Sequence, residues 1–223
     1  MVTIELWSDI ACPWASLAVF RLRAARERLG LLDDVQVDLR AWPLELVNSR
    51  STPKRTLDAE TAVIGAHEPA LGWSPWRGPS SRYPVSTLLP LEAVQACKAD
   101  VMGGVPASEQ LDLALRQAFY AESRCISLYD VVIDVAKRCD RVDVDALAVA
   151  LEQGSARSQV FGQWGASDER GVEGSPHLFL PDGTGSANPG ITYHWSGASH
   201  GGYPVIDSDD PGVYDQLLKQ AVK

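Results

Sequence analysis

A Cys-Pro pair near the start of the chain joins an apolar, strand-like run to a long helical pattern. The run ends at Asp9, the pair is Cys12 and Pro13, and the helical pattern continues to about Leu29. Proline suits the first turn of a helix, where an amide N–H would have no partner. Cys12 therefore stands at a helix N-terminus, where unpaired N–H groups and the helix dipole stabilise a thiolate. The segment predicts a nucleophilic cysteine at the end of a strand.

The residues around this junction predict a βαβ unit. Residues 2–7 form the first strand, Gly30 ends the helix, and residues 35–41 alternate between apolar and polar as a second strand does. A strand, a helix and a short return to a second strand imply parallel pairing with a right-handed crossover. The helix is expected to turn its apolar side to the sheet and its arginines to solvent. These arginines are Arg21, Arg23, Arg26 and Arg28.

The middle of the chain predicts a block of helices, and strands return after it. Apolar residues at helical spacing predict helices over 57–65, 88–102, 108–123, 128–138, 144–153 and 159–169. Ser108 is the expected N-cap of the third helix, and residues 69–84, rich in Gly, Pro and Trp, are expected to form a loop. Residues 177–180 and 191–195 are predicted to pair as antiparallel strands. Pro211 is predicted to begin a final helix.

Composition and charge exclude several classes of function. The 223 residues are 45% hydrophobic with a net charge of −9, and an acidic surface repels the phosphate backbone of nucleic acid. No stretch approaches the length of an apolar transmembrane helix, and the N-terminus lacks the pattern of a secretory signal. We therefore expect a cytoplasmic protein with no nucleic-acid or membrane partner. A homodimer is compatible with the sequence, which does not fix the oligomeric state.

The cysteines do not form a disulfide framework or a metal site. No two of them stand at CxxC spacing, and no Cys–His spacing is typical of zinc, so no metal is expected. Cys97, Cys125 and Cys139 lie on predicted helices. We interpret them as small core residues rather than as partners that resolve a disulfide with Cys12.

Other side chains leave two interpretations open. Ser8 and Asp9 either contact a cofactor or cap the first helix. His177 either tunes the thiolate or fills the sheet. The histidines without a partner at a suitable spacing are His67, His194 and His200. Three aromatic residues of the predicted loop either line a groove for an apolar substrate or anchor the loop to the core, and they are Trp73, Trp76 and Tyr83.

Four segments in this order resemble those of DsbA-like thioredoxin-fold proteins. They are residues 9–14 (DIACPW), 40–46 (RAWPLEL), 115–119 (LRQAF) and 171–176 (GVEGSP). Within that family the chain is similar to the FrnE-type oxidoreductases, with the related 2-hydroxychromene-2-carboxylate isomerases and kappa-class glutathione transferases. The resemblance implies an α/β thioredoxin fold, βαβ followed by ββα, with a helical insertion domain. Residues 1–50 and 170–223 would form the thioredoxin-like domain and residues 51–169 the insertion.

The same resemblance implies where the active site lies. Residues 171–176 resemble the family's cis-proline loop, in which the proline faces the active cysteine, and X–Pro bonds are the common place for a cis peptide. The backbone of Ser175 would then bind an extended peptide or a thiol cofactor. Cys12 is the expected catalytic residue. The expected substrate- or thiol-binding residues are Ser8, Pro13, Trp14, Ser175 and Pro176.

One departure from the FrnE-type pattern decides the mechanism. Those proteins carry Cys-Pro-Trp-Cys, whereas Ala15 stands at the place of the second cysteine here. Without a resolving thiol at this site, Cys12 forms a mixed disulfide that a second thiol releases. The sequence therefore predicts a DsbA-like thiol-disulfide oxidoreductase of monothiol type, acting on a protein or small-molecule disulfide. No bound cofactor is required, and a low-molecular-weight thiol, glutathione or an equivalent, is the expected co-substrate.

Two alternatives stay open. In the isomerase and transferase relatives a serine holds the thiol of the cofactor, so the chain is alternatively a thiol-dependent enzyme acting on a small aromatic electrophile. Such an enzyme would tolerate the change Cys12→Ser. The other alternative is a non-catalytic binding module with the same fold. In such a module the pKa of Cys12 would stay close to that of a free cysteine, and mixed disulfides would not form.

Overall fold

A mixed four-stranded sheet forms the centre of the computed structural model, which describes residues 1–198 and 201–223. The spatial order of its strands is β2-β1-β3-β4. These strands are β1 (Val2–Ser8), β2 (Val35–Ala41), β3 (His177–Phe179) and β4 (Gly185–Ala187). β2 runs parallel to β1, with Val2 opposite Val35 and Ser8 opposite Ala41. β3 runs antiparallel to β1, and β4 runs antiparallel to β3.

Helices cover the sheet and fill the long connection between β2 and β3. They are α1 (Pro13–Leu29), α2 (Leu44–Val47), α3 (Lys54–His67), α4 (Leu88–Ala96), α5 (Gly104–Tyr120), α6 (Tyr129–Ala136), α7 (Val144–Gln153), α8 (Arg157–Arg170) and α9 (Val213–Ala221). α1 joins β1 to β2, so the predicted βαβ unit is present. Within the described ranges, no helix has the length and apolar character needed to cross a bilayer.

Two strands are missing from the sequence prediction, and the predicted pairing of residues 177–180 with 191–195 is wrong. β3 turns back through residues 181–183 and pairs with β4 instead. β5 (Ile191–Trp195) pairs with β6 (Pro204–Asp209) in a separate antiparallel hairpin. β4 reads Gly-Ser-Ala, and β6 is half polar. Neither sequence shows the apolar alternation by which strands are recognised.

Three helix boundaries differ from the prediction. The helix expected to begin at Ser108 begins earlier, at Gly104. Ser108 is buried inside it, and its hydroxyl donates to a backbone carbonyl of α4 at 2.8 Å. The helix predicted over 88–102 stops early, as α4. The last helix begins at Val213, so Pro211 precedes it rather than opening it.

One hydrophobic core connects the sheet, α1 and the helices of the long connection. Ile4 of β1 and Leu111 of α5 are both completely buried in it. Cys97 and Cys139 lie in the same core, and Cys125 is half-buried outside it. Because the core is shared, the helices and the sheet do not separate into two cores. The domain boundaries inferred from the sequence stay a prediction.

Two arginines of α1 are largely buried instead of facing solvent. Arg26 pairs with Glu109 of α5. Arg21 pairs with Glu68, which follows α3, and with Asp209 at the end of β6, at 2.6 Å in both cases. The expected solvent-facing arginine side is wrong for these two residues, because α5 and the β5–β6 hairpin pack against that side of α1. Each buried charge has a carboxylate partner, as buried charges require.

Part of the outer edge of β2 is covered by side chains of α8, of α4 and of Lys98, which follows α4. Gln95 Nε2 and Lys98 Nζ donate to the carbonyl of Leu39 at 3.1 and 2.6 Å. The N–H of Ala41 donates to Gln163 Oε1 at 2.6 Å. These contacts occupy backbone groups that an edge strand otherwise leaves unpaired.

Candidate active site

Cys12 and Ser175 meet at the end of the sheet where β1 leads into α1 and the chain approaches β3. Cys12 is the N-cap of α1, and its Sγ accepts a hydrogen bond from the Ala15 N–H at 3.5 Å. The Cys12 thiol also donates to the carbonyl of Ser175 at 3.0 Å. The Ser175–Pro176 peptide bond is cis. Two segments that are distant in sequence therefore hold one sulfur between them.

Asp9 fastens the loop between β1 and α1. Its buried carboxylate accepts from the N–H groups of Ala11 and Leu44, at 2.8 and 2.7 Å, and from the Thr87 hydroxyl at 3.0 Å. Its own N–H donates to the Ser175 hydroxyl at 3.0 Å. Burial raises the pKa of Asp9 in spite of these hydrogen bonds. Asp9 thus makes these hydrogen bonds within the protein, and they connect the cysteine loop to the first turns of α2 and α4.

A fully buried arginine lies behind the cysteine loop. Arg116 of α5 makes two hydrogen bonds to Asp112, and the others reach the hydroxyls of Ser8 and Ser16 and the carbonyl of Asp9, all within 2.6 to 3.1 Å. Each guanidinium N–H therefore has an acceptor. In the sequence, Arg116 stands out only as part of the segment 115–119 that resembles DsbA-like proteins. The signal that points to it is an Asp–Arg pair, four residues apart, on the side of α5 that also carries Leu111 and Leu115.

The residues predicted to bind substrate or a thiol occupy two different environments. Those that line a pocket beside the sulfur are Pro13, Trp14 and Ser175. Ser8 is a correction to the prediction, because it is only 2% exposed and its hydroxyl accepts from Arg116 at 2.9 Å instead of facing the pocket. Pro176 lies behind the pocket wall, with its carbonyl accepting from the Asn188 N–H at 3.1 Å.

The pocket has a volume of about 280 Å³ and lies between α1, α3, β5 and the cis-proline loop. Glu60 of α3 lines it and accepts a hydrogen bond from Trp14 Nε1 at 3.1 Å. The Trp14 ring stacks on Tyr193 of β5, with the ring centroids 3.9 Å apart. Burial raises the pKa of Glu60 to about 7. Glu60 is not recognisable as a site residue from the sequence, because only tertiary packing brings α3 to the start of α1.

The electrostatics of Cys12 differ from the sequence prediction. Burial of the sulfur, followed by the negative charge of Glu60, raises the pKa of Cys12 to about 12. Hydrogen bonding from the Ser175 side chain and from the Ala15 N–H lowers the pKa of Cys12, but both contributions are outweighed. The expected thiolate at the helix N-terminus is therefore wrong for this arrangement, because one amide contact does not replace the lost hydration. At neutral pH Cys12 is a thiol that donates to the Ser175 carbonyl.

The raised pKa of Cys12 determines how its rate of alkylation depends on pH. In a variant with alanine at the other three cysteines, we expect the rate of alkylation by iodoacetamide to rise about tenfold per pH unit up to pH 9, because the thiolate fraction stays small below the pKa. Intact-mass spectrometry measures this rate. Free N-acetylcysteine amide, assayed alongside, should level off close to the pKa of an ordinary thiol. A plateau of the Cys12 rate below about pH 8.5 would contradict the expectation.

The remaining candidates from the sequence lie away from the pocket. His177 of β3 is buried, accepts from the Glu173 N–H at 3.0 Å and stacks on Phe179, so it fills the sheet. His200 lies outside the described residues. The loop aromatics pack against aromatic residues of α5 and anchor the loop. These contacts involve Trp73, Trp76 and Tyr83 from the loop and Phe119 and Tyr120 from α5.

The strand order, the cysteine at the N-cap of α1 and the helical connection between β2 and β3 define a DsbA-like thioredoxin fold. This confirms the predicted fold class and, at the level of the fold, the resemblance to DsbA-like proteins. In sequence, the chain matches no protein-family model and no curated protein.

Solved structures share this fold over between 82% and 99% of the chain. A probable DsbA oxidoreductase from Streptomyces coelicolor superposes with a TM-score of 0.70 at 20% identity, covering 99% of this chain and 90% of that one. The cytosolic disulfide reductase DsbM from Pseudomonas aeruginosa, solved with GSH, gives 0.66 at 14% identity over 98% of both chains. A 2-hydroxychromene-2-carboxylate isomerase gives 0.60 at 16% identity, covering 82% of this chain and 87% of that one. At these identities the similarity establishes the fold.

Proposed function

We propose that the protein is a thiol-disulfide oxidoreductase of monothiol type, with Cys12 as its nucleophile. The observation that supports this most is the position of Cys12 Sγ, on the wall of a pocket and 3.0 Å from the Ser175 carbonyl of the cis-proline loop. Proteins of the same fold include ones described as a DsbA oxidoreductase and a disulfide reductase. Ala15 occupies the position of a resolving cysteine, so the exchange passes through a mixed disulfide.

The exchange consists of two balanced steps. The Cys12 thiolate attacks one sulfur of a disulfide R–S–S–R′, forms a Cys12–S–S–R bond and releases R′–S⁻, which takes up a proton. A second thiol R″–SH, after losing its proton, attacks the R sulfur of this mixed disulfide. That step forms R–S–S–R″ and returns the Cys12 thiolate, which recovers a proton. Cys12 ends in its starting state, so the second thiol is the only co-reactant.

Glu60 is the proton acceptor for Cys12 in this proposal. It lines the same pocket, and a pKa near 7 suits a group that takes up and returns a proton at neutral pH. The charge of Glu60 is one cause of the raised pKa of Cys12, so protonation of Glu60 removes that contribution. A thiol with a high pKa is rarely ionised, but the thiolate that forms is strongly nucleophilic.

The cis-proline loop serves as the docking segment. In the thiol state, the S–H group of Cys12 donates a hydrogen bond to the Ser175 carbonyl. Loss of that proton frees the carbonyl to accept a hydrogen bond from an amide N–H of the substrate. Binding of an extended peptide or of a cysteine-containing thiol is therefore coupled to formation of the thiolate.

A low-molecular-weight thiol, rather than a bound cofactor, releases the mixed disulfide. One protein of the same fold, DsbM, is cytosolic and was solved with GSH, and we propose a cytoplasmic location here as well. The net charge of −9 opposes binding to nucleic acid or to an anionic membrane. We further propose a thioredoxin-like domain of residues 1–50 and 170–223, an insertion of residues 51–169, and a homodimer, which sedimentation analysis tests.

Trapping of the mixed disulfide tests the proposed activity. The protein is incubated with bis(2-hydroxyethyl) disulfide, a small uncharged oxidant, and its cysteines are mapped by peptide mass spectrometry. We expect a hydroxyethyl adduct on Cys12 that disappears when a thiol is added. Cys97 and Cys139, which are buried in the core, serve as internal controls and should stay unmodified. Folded protein in which Cys12 also stays unmodified would contradict the proposal.

Restoring the second cysteine should create an internal disulfide. The Ala15 N–H points at Cys12 Sγ from the first turn of α1, so Ala15→Cys places a second sulfur at the spacing of dithiol active sites. We expect mild oxidation to remove two alkylatable thiols from this variant, counted by mass after denaturation. Ala18→Cys, buried on the next turn of α1, is the matched control and should keep its thiols. An Ala15→Cys protein that stays reduced would show that the proposed geometry is wrong.

One observation favours a second function. Cys12 is a neutral hydrogen-bond donor at an N-cap, which is the role that a serine hydroxyl plays when it holds a thiolate. One protein of the same fold is a 2-hydroxychromene-2-carboxylate isomerase. The chain would then be a thiol-dependent isomerase or transferase acting on a small aromatic electrophile. The two functions differ in their response to Cys12→Ser, since exchange requires the sulfur and hydrogen-bond donation does not.

A further inference from the structure

The wall of the pocket beside Cys12 is polar but carries no positive charge. Among the described residues that line it there is no lysine, arginine or histidine, and Glu60 adds a carboxyl group. Its uncharged polar and aromatic side chains include Asn48, Thr52, Asn188, Trp14, Trp42 and Tyr193. A carboxylate of a bound thiol would find no cation in this wall, and a charge that loses water without gaining a partner is unfavourable.

One acceptor in this wall has no partner. Asn188 Oδ1 is buried and makes no hydrogen bond within the described part of the chain. The backbone of Asn188 is fixed, because its N–H donates to the Pro176 carbonyl at 3.1 Å and its carbonyl accepts from the Ile191 N–H at 3.3 Å. The side chain is thus held beside the cis-proline loop. A ligand O–H or N–H satisfies such an acceptor, whereas a carboxylate does not.

We propose that the second thiol of the exchange is uncharged and carries a hydroxyl-rich group such as a sugar, an inference that rests on the proposed function of Cys12. A sugar ring offers an apolar C–H face to an aromatic side chain and O–H groups to amides and hydroxyls. Trp42 provides the first kind of surface, and Asn48, Thr52 and Asn188 provide the second. A cavity of about 280 Å³ is small for a ligand site, and its size suits a cysteine unit joined to a single sugar ring.

Glutathione fits this wall less well. At neutral pH it carries two carboxylates and one ammonium group, so its net charge has the same sign as Glu60 and as the protein's net charge of −9. Like charges repel more strongly in a partly dehydrated pocket than in water. Glutathione is therefore expected to release the mixed disulfide slowly, at a rate similar to that of other anionic thiols.

Release rates of a preformed mixed disulfide test this inference. The hydroxyethyl adduct of Cys12 is treated with N-acetylcysteine, its amide, N-acetylcysteinyl-glucosamine or glutathione. Each rate is divided by the rate of the same thiol with free bis(2-hydroxyethyl) disulfide. We expect the uncharged amide to exceed N-acetylcysteine about tenfold, and the sugar-linked thiol to exceed the amide by about tenfold more, the effect of one or two hydrogen bonds. Equal normalised rates, or a faster anionic thiol, would overturn the inference.

Variants locate the effect in the pocket. Asn188→Gly, which tolerates the φ of +43° at this position, should remove most of the preference for the sugar-linked thiol. Thr52→Lys should raise the rate with glutathione several-fold, because it supplies the missing cation. Gln153→Lys, an exposed site on α7, makes the same change in net charge and should leave the order of the thiols as it is. If it changes the order as Thr52→Lys does, the pocket does not set the preference.

A binding measurement separates this inference from the proposed activity. The S-methyl derivatives of the same thiols do not exchange, so they compete with iodoacetamide for access to Cys12 without reacting. We expect the sugar-linked derivative to protect Cys12 at a concentration about tenfold lower than the anionic one. Protection in this order without any hydroxyethyl adduct would refute the oxidoreductase and keep the ligand class. An adduct that forms without this order of protection and release would refute the ligand class alone.

Discussion

Replacing Cys12 with serine is expected to reduce thiol-disulfide exchange to the uncatalysed rate, because the attacking sulfur forms the bond on which both steps depend. The fold should survive, since serine is among the best N-cap residues and the Ala15 N–H keeps an acceptor. Reduction of bis(2-hydroxyethyl) disulfide by a neutral thiol gives the rate, and thermal unfolding gives the stability. Cys125→Ser, at a half-buried cysteine away from the pocket, is the control and should exchange normally.

The same variant distinguishes the two candidate functions. A Cys12→Ser protein that still accelerates disulfide exchange would contradict the assignment of the nucleophile. One that has lost exchange but isomerises a small aromatic substrate in the presence of a thiol would establish the second function. In that case the neutral Cys12 thiol, which donates to the Ser175 carbonyl here, acts as a hydroxyl would.

Replacing Arg116 with methionine is expected to lower the free energy of unfolding by about 3–5 kcal/mol, the usual cost of removing one partner of a buried ion pair. The change leaves the Asp112 carboxylate buried without its cation and removes donors from Ser8, Ser16 and the Asp9 carbonyl. Urea unfolding followed by circular dichroism measures the loss. Arg138→Met, which breaks an exposed pair with Glu122, should change stability by less than about 1 kcal/mol.

A lysine at the same position separates charge from geometry. Arg116→Lys keeps the positive charge but has three donors on one nitrogen instead of five on a planar fork, so the acceptors around it are not all satisfied. We expect a loss of stability between those of wild type and Arg116→Met. A double variant that also replaces Asp112 with leucine should recover part of the methionine variant's loss. Unfolding energies for Arg116→Met within 1 kcal/mol of wild type would contradict the structural role of this residue.

The sequence located Cys12 and the segment that faces it, because both depend on local patterns. A Cys-Pro pair between a strand and a helix gave Cys12, and a Gly- and Pro-containing loop before a strand gave Ser175 and Pro176. The contact between Cys12 and Ser175 followed from the resemblance and not from spacing. Long-range contacts carried no local signal, which is why Glu60 was missed. The spacing of Asp112 and Arg116 was visible in the sequence, but the contacts of Arg116 with the cysteine loop were not.

The sign of the Cys12 pKa shift shows a further limit of sequence reasoning. Position at a helix N-terminus was visible in the sequence and favours a thiolate. The degree of burial of the sulfur depends on tertiary packing, was not visible in the sequence and has the larger effect. In the same way, β4 and β6 were not recognised because hydrogen bonding to neighbours, and not apolar alternation, makes them strands.

The side chains that cover the β2 edge make the small sheet dependent on the helices that follow it in the chain. Gln95, Lys98 and Gln163 hydrogen-bond the Leu39 carbonyl and the Ala41 amide, so two backbone groups that a strand from another molecule would use are already occupied. During synthesis on the ribosome, however, β2 emerges long before Gln163. Until α8 has folded, this edge of the nascent chain can therefore pair with strands of other chains. A shortened protein with only the four strands and α1 would be prone to self-association for the same reason.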